Sequence, residues 1–547
     1  MSTLTLPRAS AVLAVCALHG AGAHAVTFEF ESVRGSFDST VTVGTGVRLK
    51  DPACTLITGG AAGAGAPSGC LAPTAGIGDQ GNLNYGKGDS FTTYVKGSHE
   101  LVLNLPSEVM FMGRVNWLRD FTATDTTGYV SATTPPPLTD GLADDARRDL
   151  RFKARVLDLW VSKTFQVGEQ QARIRVGNQV ISWGESLFLP GGINSTNAVD
   201  VMRLSQPGTQ LKEVFLPAPI ASIATGLGHG LNVEAYVQGR WNASYMPPTG
   251  SYWSVSNGLG KGHEAYGLVE VKPRDAGQWG AALRYQPPGE QLVLGAYAMN
   301  YHDKSPSFSF NASGNNDLGF VFPRNRRLFG LSANFPVGDW SVGTELSYRP
   351  KDAVALNANS GCTSQDGNCW VDEKRLQWQL TGMYSLSPGN GGAFLDFLGA
   401  GTATLLAEVA VVHYPKLRQS YGGDPISAGG WGWGQEFDPA ASPEAVGTKT
   451  SWGFNLDFSW VYDGTLIPGW QVVPEIYYFQ AVRGRTPSAG ATFMEGAKSA
   501  NFIVSFIKNP GTWQASINYA TFRGGKRVFD QPYRDRDFVG LTLSRNF

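Results

Sequence analysis

Between Trp452 and Tyr462 every second residue is large and apolar: Trp452, Phe454, Leu456, Phe458, Trp460 and Tyr462. Gly453, Asn455, Asp457 and Ser459 stand between them. Successive side chains of an extended strand point to opposite faces, so this period of two describes a ribbon with one apolar and one small or polar face. The pattern recurs. Leu231, Val233, Ala235, Val237 and Trp241 alternate with Asn232, Glu234, Tyr236, Gln238 and Arg240. Trp340, Val342, Thr344, Leu346 and Tyr348 alternate with Ser341, Glu345, Ser347 and Arg349, and Leu376, Trp378, Leu380 and Tyr384 with Gln377, Gln379 and Thr381. A soluble sandwich also alternates. Here, however, the polar faces carry Glu, Arg and Gln, and the apolar faces end in Trp or Tyr, as a wall between hydrocarbon and a wet lumen requires.

The connections point the same way. Tight turns are expected at Pro287-Pro288-Gly289, Pro336-Val337-Gly338-Asp339, Pro388-Gly389-Asn390, Pro468-Gly469 and Pro510-Gly511. Long loops are expected near 50–89, 119–150, 184–218, 243–277, 303–325, 350–374, 415–449, 481–497 and 523–535. Short and long connections alternate from residue 243 onward, and a sandwich has no reason to keep its long loops at one end. The fold class is therefore all-β: a transmembrane antiparallel β-barrel of about 18 strands (range about 14–20) with short periplasmic turns and long extracellular loops. The first strand is expected near Phe37–Leu49 and the last near Arg536–Phe547. These two must pair, because an open sheet edge is intolerable in lipid. Phe547 ends the chain on the parity of Val539, Leu541 and Leu543, resembling the signal read by outer-membrane insertion machinery, although Arg545 departs from the apolar residue usual there.

Composition excludes the competitors. Charged residues are 16% of the chain, against the ~25% of soluble proteins, so much of the surface avoids charge. Mean hydropathy is nevertheless −0.16, and past residue 30 no run approaches the ~18 apolar residues of a membrane helix. A formal net charge of −1 gives no support to nucleic-acid binding. Arg8, the apolar stretch Ala9–Leu18 and Ala23-His24-Ala25 read as a cleaved signal peptide over 1–25, leaving 26–547 as a single barrel. The first strand then starts too early for an N-terminal plug. Outside the leader the cysteines form two local pairs, Cys54 with Cys70 and Cys362 with Cys369, which read as disulfides in an oxidising compartment. No His lies near either pair, so no metal and no cofactor is expected.

The segment Arg175-Val176-Gly177-Asn178-Gln179-Val180-Ile181-Ser182-Trp183-Gly184-Glu185-Ser186 leads to Gly191-Gly192-Ile193-Asn194, Val199-Asp200-Val201, Pro207-Gly208 and Leu211-Lys212-Glu213. With Gly81-Asn82-Leu83-Asn84-Tyr85 and Lys87-Gly88-Asp89, it resembles the domain-of-unknown-function 1302 family of Gram-negative bacteria. The resemblance implies an outer-membrane barrel whose members sit beside hydrophobic-compound catabolism and export systems.

Loop 184–218 is the expected constriction. Gly184, Gly191, Gly192 and Gly208 permit tight backbone turns, and Glu185, Asp200, Arg203, Lys212 and Glu213 bring both charge signs. Opposed charges across a narrow opening sort solutes; the same residues would equally tie the loop to the wall. Arg173, Arg175, Gln179, Glu234, Gln238, Arg240, Glu345 and Arg349 are expected to face the lumen, with Arg173 and Arg175 leading into that loop. Trp431 and Trp433, and also Tyr245, Tyr252 and Trp253, are candidates to catch an apolar ligand or dock on lipopolysaccharide, and Met110 and Met112 hint at an apolar lumen patch. There is no G-x-S-x-G, H-E-x-x-H or G-x-x-x-x-G-K-[ST] motif, and His99, His229, His263, His302 and His413 are scattered, so no enzyme is expected. The expected function is passive outer-membrane passage of a hydrophobic or amphipathic small molecule. A porin for polar solutes and a non-conducting partner of an export or assembly system are the alternatives. Expected partners are membrane lipid, lipopolysaccharide, the solute and, during biogenesis, the insertion machinery.

Overall fold

The computed structural model describes residues 26–30, 32–53, 56, 80–126, 141–428, 446–488, 490–508, 511–527 and 530–547. Eighteen antiparallel strands form one closed wall. In chain order they are β1 Val33–Arg48, β2 Ser90–Leu105, β3 Val109–Asp120, β4 Phe152–Val167, β5 Gln170–Gln179 and β6 Ala218–Gly228. There follow β7 Leu231–Gln238, β8 Gln278–Tyr285, β9 Val293–Tyr301, β10 Arg326–Val337, β11 Trp340–Ala355 and β12 Trp370–Leu386. The last six are β13 Thr402–His413, β14 Thr450–Asp463, β15 Trp470–Arg483, β16 Ala497–Lys508, β17 Trp513–Gly524 and β18 Phe538–Asn546. Each strand pairs with its sequence neighbours, and β18 closes on β1 from Thr40↔Asn546 to Arg48↔Phe538. A short strand, Val26–Phe30, folds back on the start of β1.

Alternation becomes two faces. Ile174, Val176, Val237, Leu331 and Leu541 are exposed large apolar side chains on the outer face. Exposure of so many such residues is tolerable only where lipid replaces water. At the end with short connections the outer face carries a ring of aromatics: Trp340 packs on Tyr384 with centroids 4.9 Å apart, and the Trp460 indole donates to the Tyr462 hydroxyl at 3.2 Å. Arg545 belongs to this ring. Its guanidinium lies 5.2 Å from the Trp513 ring and 4.8 Å from that of Phe547, so the charge is held by π faces at the interface.

Short turns join the strands at that end. His229 and Gly230 both take positive φ (50° and 80°), the twist a two-residue hairpin needs. One expected turn is different: Pro388-Gly389-Asn390 opens an α-helix, α1 Pro388–Leu398, between β12 and β13. Pro at the first helical position, the Ser387/Asn390 capping box and Gly399 at the C-terminus (φ 65°) are helix signals that outweigh the turn reading. At the opposite end, Cys362 and Cys369 form a disulfide in the β11–β12 loop. Cys54, Cys70 and residues 1–25, where a signal peptide was expected, lie outside the described residues, and no described helix is long and apolar enough to cross a membrane.

Candidate functional site: the loop between β5 and β6

Residues 180–217 connect β5 to β6 at the long-loop end, and they turn inward. Ile181, Trp183 and Ile193 bury themselves among Tyr236, Ala282, Tyr297, Met299 and Leu328 of β7–β10. The Trp183 indole donates to Glu234 at 2.8 Å. An inward loop must still satisfy its backbone. Glu345 of β11 accepts the N–H groups of Glu185 (2.7 Å) and Ile193 (2.9 Å). Glu408 of β13 accepts the Ser186 hydroxyl at 2.8 Å and the N–H groups of Leu187, Phe188 and Leu189 at 3.1, 2.6 and 3.3 Å. On the acceptor side, Gln379, Gln377 and Arg349 donate to the carbonyls of Leu189, Pro190 and Gly191 at 2.9, 3.0 and 2.6 Å. Carboxylates thus take the donors of this segment, and Gln and Arg take its acceptors.

The glycines make the contact close. Gly184 (φ 91°) and Gly191 (φ 99°) occupy the left-handed region. A Cβ on Gly192 would collide with side-chain oxygens of Glu345 and Gln379.

The second half of the loop reaches the other way. Asp200 accepts the Arg203 N–H at 3.0 Å at the start of a short helix, Val201–Ser205, and pairs with Arg155 of β4. Arg203 pairs with Glu213 at 3.2 Å, and Glu213 with Lys96 of β2 at 2.7 Å. Lys96 also donates to the Gly208 carbonyl at 2.7 Å, and the Tyr94 hydroxyl to that of Pro207 at 2.8 Å. Burial pushes the Glu213 carboxyl up, but Lys96 and Arg203 outweigh it and hold it below the usual carboxylate range. One loop therefore ties β11–β13 on one side of the lumen to β2 on the other.

Of the five charges expected in this loop, Asp200, Arg203 and Glu213 are buried and consumed in this lattice. Glu185 accepts from Asn334 of β10 at 2.9 Å. Lys212 is exposed and joins no ion pair among the described residues.

The expected lumen set divides. Arg173 and Arg175 lie on the inward parity of β5, with the Arg175 guanidinium 4.2 Å from the Trp160 ring. Gln179 is buried and donates to the Ile220 carbonyl at 2.9 Å. Glu234 holds Trp183 and lies 3.5 Å from Arg284. Arg240 lies two residues past the end of β7 at Gln238 and is exposed. Trp241 leaves the lipid face, because its N–H donates to Asp275 at 3.0 Å and its ring turns onto Phe322 at 4.7 Å.

Tyr252 and Trp253 are not open to a ligand. They are buried with Tyr85, Phe91 and Phe538, where Tyr252 stacks on Phe91 at 3.8 Å and its hydroxyl donates to the Arg536 carbonyl at 2.9 Å. The β7–β8 loop thereby crosses to the β1–β2–β18 side. Tyr245 is held by Asp149 and by Lys153, 3.5 Å over its ring. Met110 and Met112 face inward, opposite Ser162 and Trp160. Trp431 and Trp433 lie outside the described residues.

A cavity of ≈ 290 Å³ remains between the loop and the wall. Leu187, Phe188 and Phe215 are among its apolar lining, and Lys304, Arg349 and Arg375 line it together with Asp303 and Asp352, the last of which pairs with both arginines at 3.2 and 3.6 Å. Burial lowers the Lys304 ammonium to about 7. Its hydrogen bonds run to the neutral side chains of Asn242 (3.2 Å) and Gln278 (3.3 Å). The wall residues that hold the loop, Gln377, Gln379 and Glu408, were not singled out from sequence. Glu408 did carry a signal, as the one ionisable residue before His413 in the apolar run of β13.

In overall shape the chain is similar to Acinetobacter baumannii OccAB1 (TM-score 0.42, 11% identity, 96% of this chain and 98% of that one). It is also similar to Pseudomonas aeruginosa OccK2 (OpdF) in complex with glucuronate (0.40, 11%, 94% and 98%) and to P. aeruginosa OpdK with vanillate (0.41, 12%, 93% and 98%). No curated protein matches the sequence. The family model described as "Protein of unknown function (DUF1302)" matches residues 6–547, and the chain belongs to that family.

Proposed function

We propose that this barrel is an outer-membrane channel for passive passage of an amphipathic small molecule, with residues 184–218 as its constriction. The cavity beside the loop carries the reading, because it sets apolar side chains (Leu187, Phe188, Phe215) beside a charged cluster in which Lys304, Arg349 and Arg375 outnumber Asp303 and Asp352. Such a lining suits a solute with a hydrocarbon body and a polar or anionic end. The outer apolar face and closed wall support the membrane location, and no further partner is needed for a passive route.

A polar-solute porin is the second reading, favoured by inward charges such as Arg173 and Arg175. Planar-bilayer recordings with octanoate and with glucose separate the two. The amphipathic route gives transient blocks by octanoate that disappear in Arg349→Ala. Glucose permeation without octanoate blocks supports the polar porin, and absence of any current supports a non-conducting partner.

A further inference from the structure

Helix α1 stands at the end of the barrel where the other short connections are turns, and much of its apolar surface is exposed. Phe397 is 83% exposed and Phe394 45%, while Leu395 on the opposite side is buried. The helix is not under the lumen. The Phe394 ring lies 6.1 Å from that of Phe458, the Tyr462 hydroxyl donates to the Leu398 carbonyl at 2.8 Å, and Gly401 N–H donates to the Val461 carbonyl at 2.9 Å. Phe458 and Tyr462 occupy the outward parity of β14, with Phe454 and Leu456. Asp396 is the only charged residue of α1. Nearby in the sequence of the β14–β15 turn, Leu466 is 58% exposed and Ile467 41%.

We propose that α1 is an interfacial anchor lying in the periplasmic leaflet, with Phe394 and Phe397 inserted among phospholipid acyl chains. The occupant follows from continuity. The apolar face of α1 prolongs the lipid-facing band through Phe458 and the aromatic ring of Trp340, Tyr384 and Trp460, and α1, with Asp396 as its one charged residue, has little charge to desolvate at the headgroup boundary. Two large aromatics left to water on one short helix would otherwise form an aggregation site. The anchor fixes the height of β12–β14, which carry Gln377, Gln379 and Glu408 against the loop. This inference rests on the membrane reading of the barrel, and its test keeps the two apart.

Nitroxide labels are placed by Phe397→Cys, Leu331→Cys and Asp339→Cys, one per protein, on the full chain with Cys16, Cys54 and Cys70 replaced by Ser and the Cys362–Cys369 disulfide kept oxidised, folded in phosphatidylethanolamine/phosphatidylglycerol vesicles. Collisional access to oxygen and to a water-soluble nickel chelate is then measured. Leu331 reports the lipid-facing wall, and Asp339 an exposed turn at the same end as α1. The anchor predicts that label 397 resembles 331, with oxygen access exceeding nickel access by several-fold. If 331 is lipid-like but 397 matches 339, the anchor is wrong and the barrel stands. If 331 is also water-accessible, the membrane reading itself fails. Spin–spin broadening at 397 alone would mean that a second copy covers the helix, which also overturns the proposal.

Discussion

Glu408 shows what one inward carboxylate does in this wall. It serves four donors of Ser186, Leu187, Phe188 and Leu189 across 219–222 residues of chain. Each buried donor left without a partner costs about 1–3 kcal/mol, so Glu408→Ala should release residues 186–189 while the wall stays folded. Single-channel recording is expected to show larger and noisier current steps, and an unchanged trace would count against the anchoring role. Lys304 gives a pH signature. Its ammonium, lowered to about 7 by burial, is charged below that value and neutral above it. Anion preference should therefore fall as pH rises from 6 to 8, and Lys304→Gln should flatten the response. Because the unfolded lysine titrates near 10.5, the unfolded state binds more protons between about 7 and 10.5, so this group makes stability rise with pH through that window. Residue roles were only partly legible beforehand. Parity predicts which way Glu345 or Arg349 points, but the loop atoms that they hold are more than 150 residues away, and no local period encodes that.

At the scale of elements, strands were legible and connections less so. Alternation is a local property, so Trp452–Tyr462 reads directly as the body of β14. Strand ends are set by tertiary contacts: Asp275 captures the Trp241 N–H and ends the outward run that the alternation extends through Arg240 and Trp241. The turn expected at Pro388-Gly389-Asn390 is a helix, because the same residues satisfy helix-start chemistry when a largely apolar stretch, Ala393–Leu398, interrupted by Asp396, follows. The β5–β6 loop was legible as special through its glycines, though its charges serve as ties rather than as an open ring. Gly192→Val should displace the loop from Glu345 and Gln379. The expected outcome is a several-fold rise in protease cleavage within 184–218 with retention of the heat-modifiable gel shift; equal cleavage of the two proteins would show that the close approach is not needed.

For the whole molecule, closure is the property that matters. β18 pairs with β1 over nine residues, Phe538–Asn546, so truncation after residue 537 leaves two unpaired edges that lipid cannot satisfy. Such a chain should lose the heat-modifiable band in detergent. Closure was foreseeable from the even count of alternating strands, and loop 184–218 was expected to turn inward, whereas the distant arcs of wall that it bridges were not, because no local pattern encodes them. That bridging is the central claim, and it is tested by planar-bilayer conductance of the intact chain against a chain in which residues 184–216 are replaced by a short Gly/Ser link. The loop as constriction predicts small, stable current steps for the intact chain and steps several-fold larger after the replacement. Equal conductance in two correctly folded barrels would contradict it.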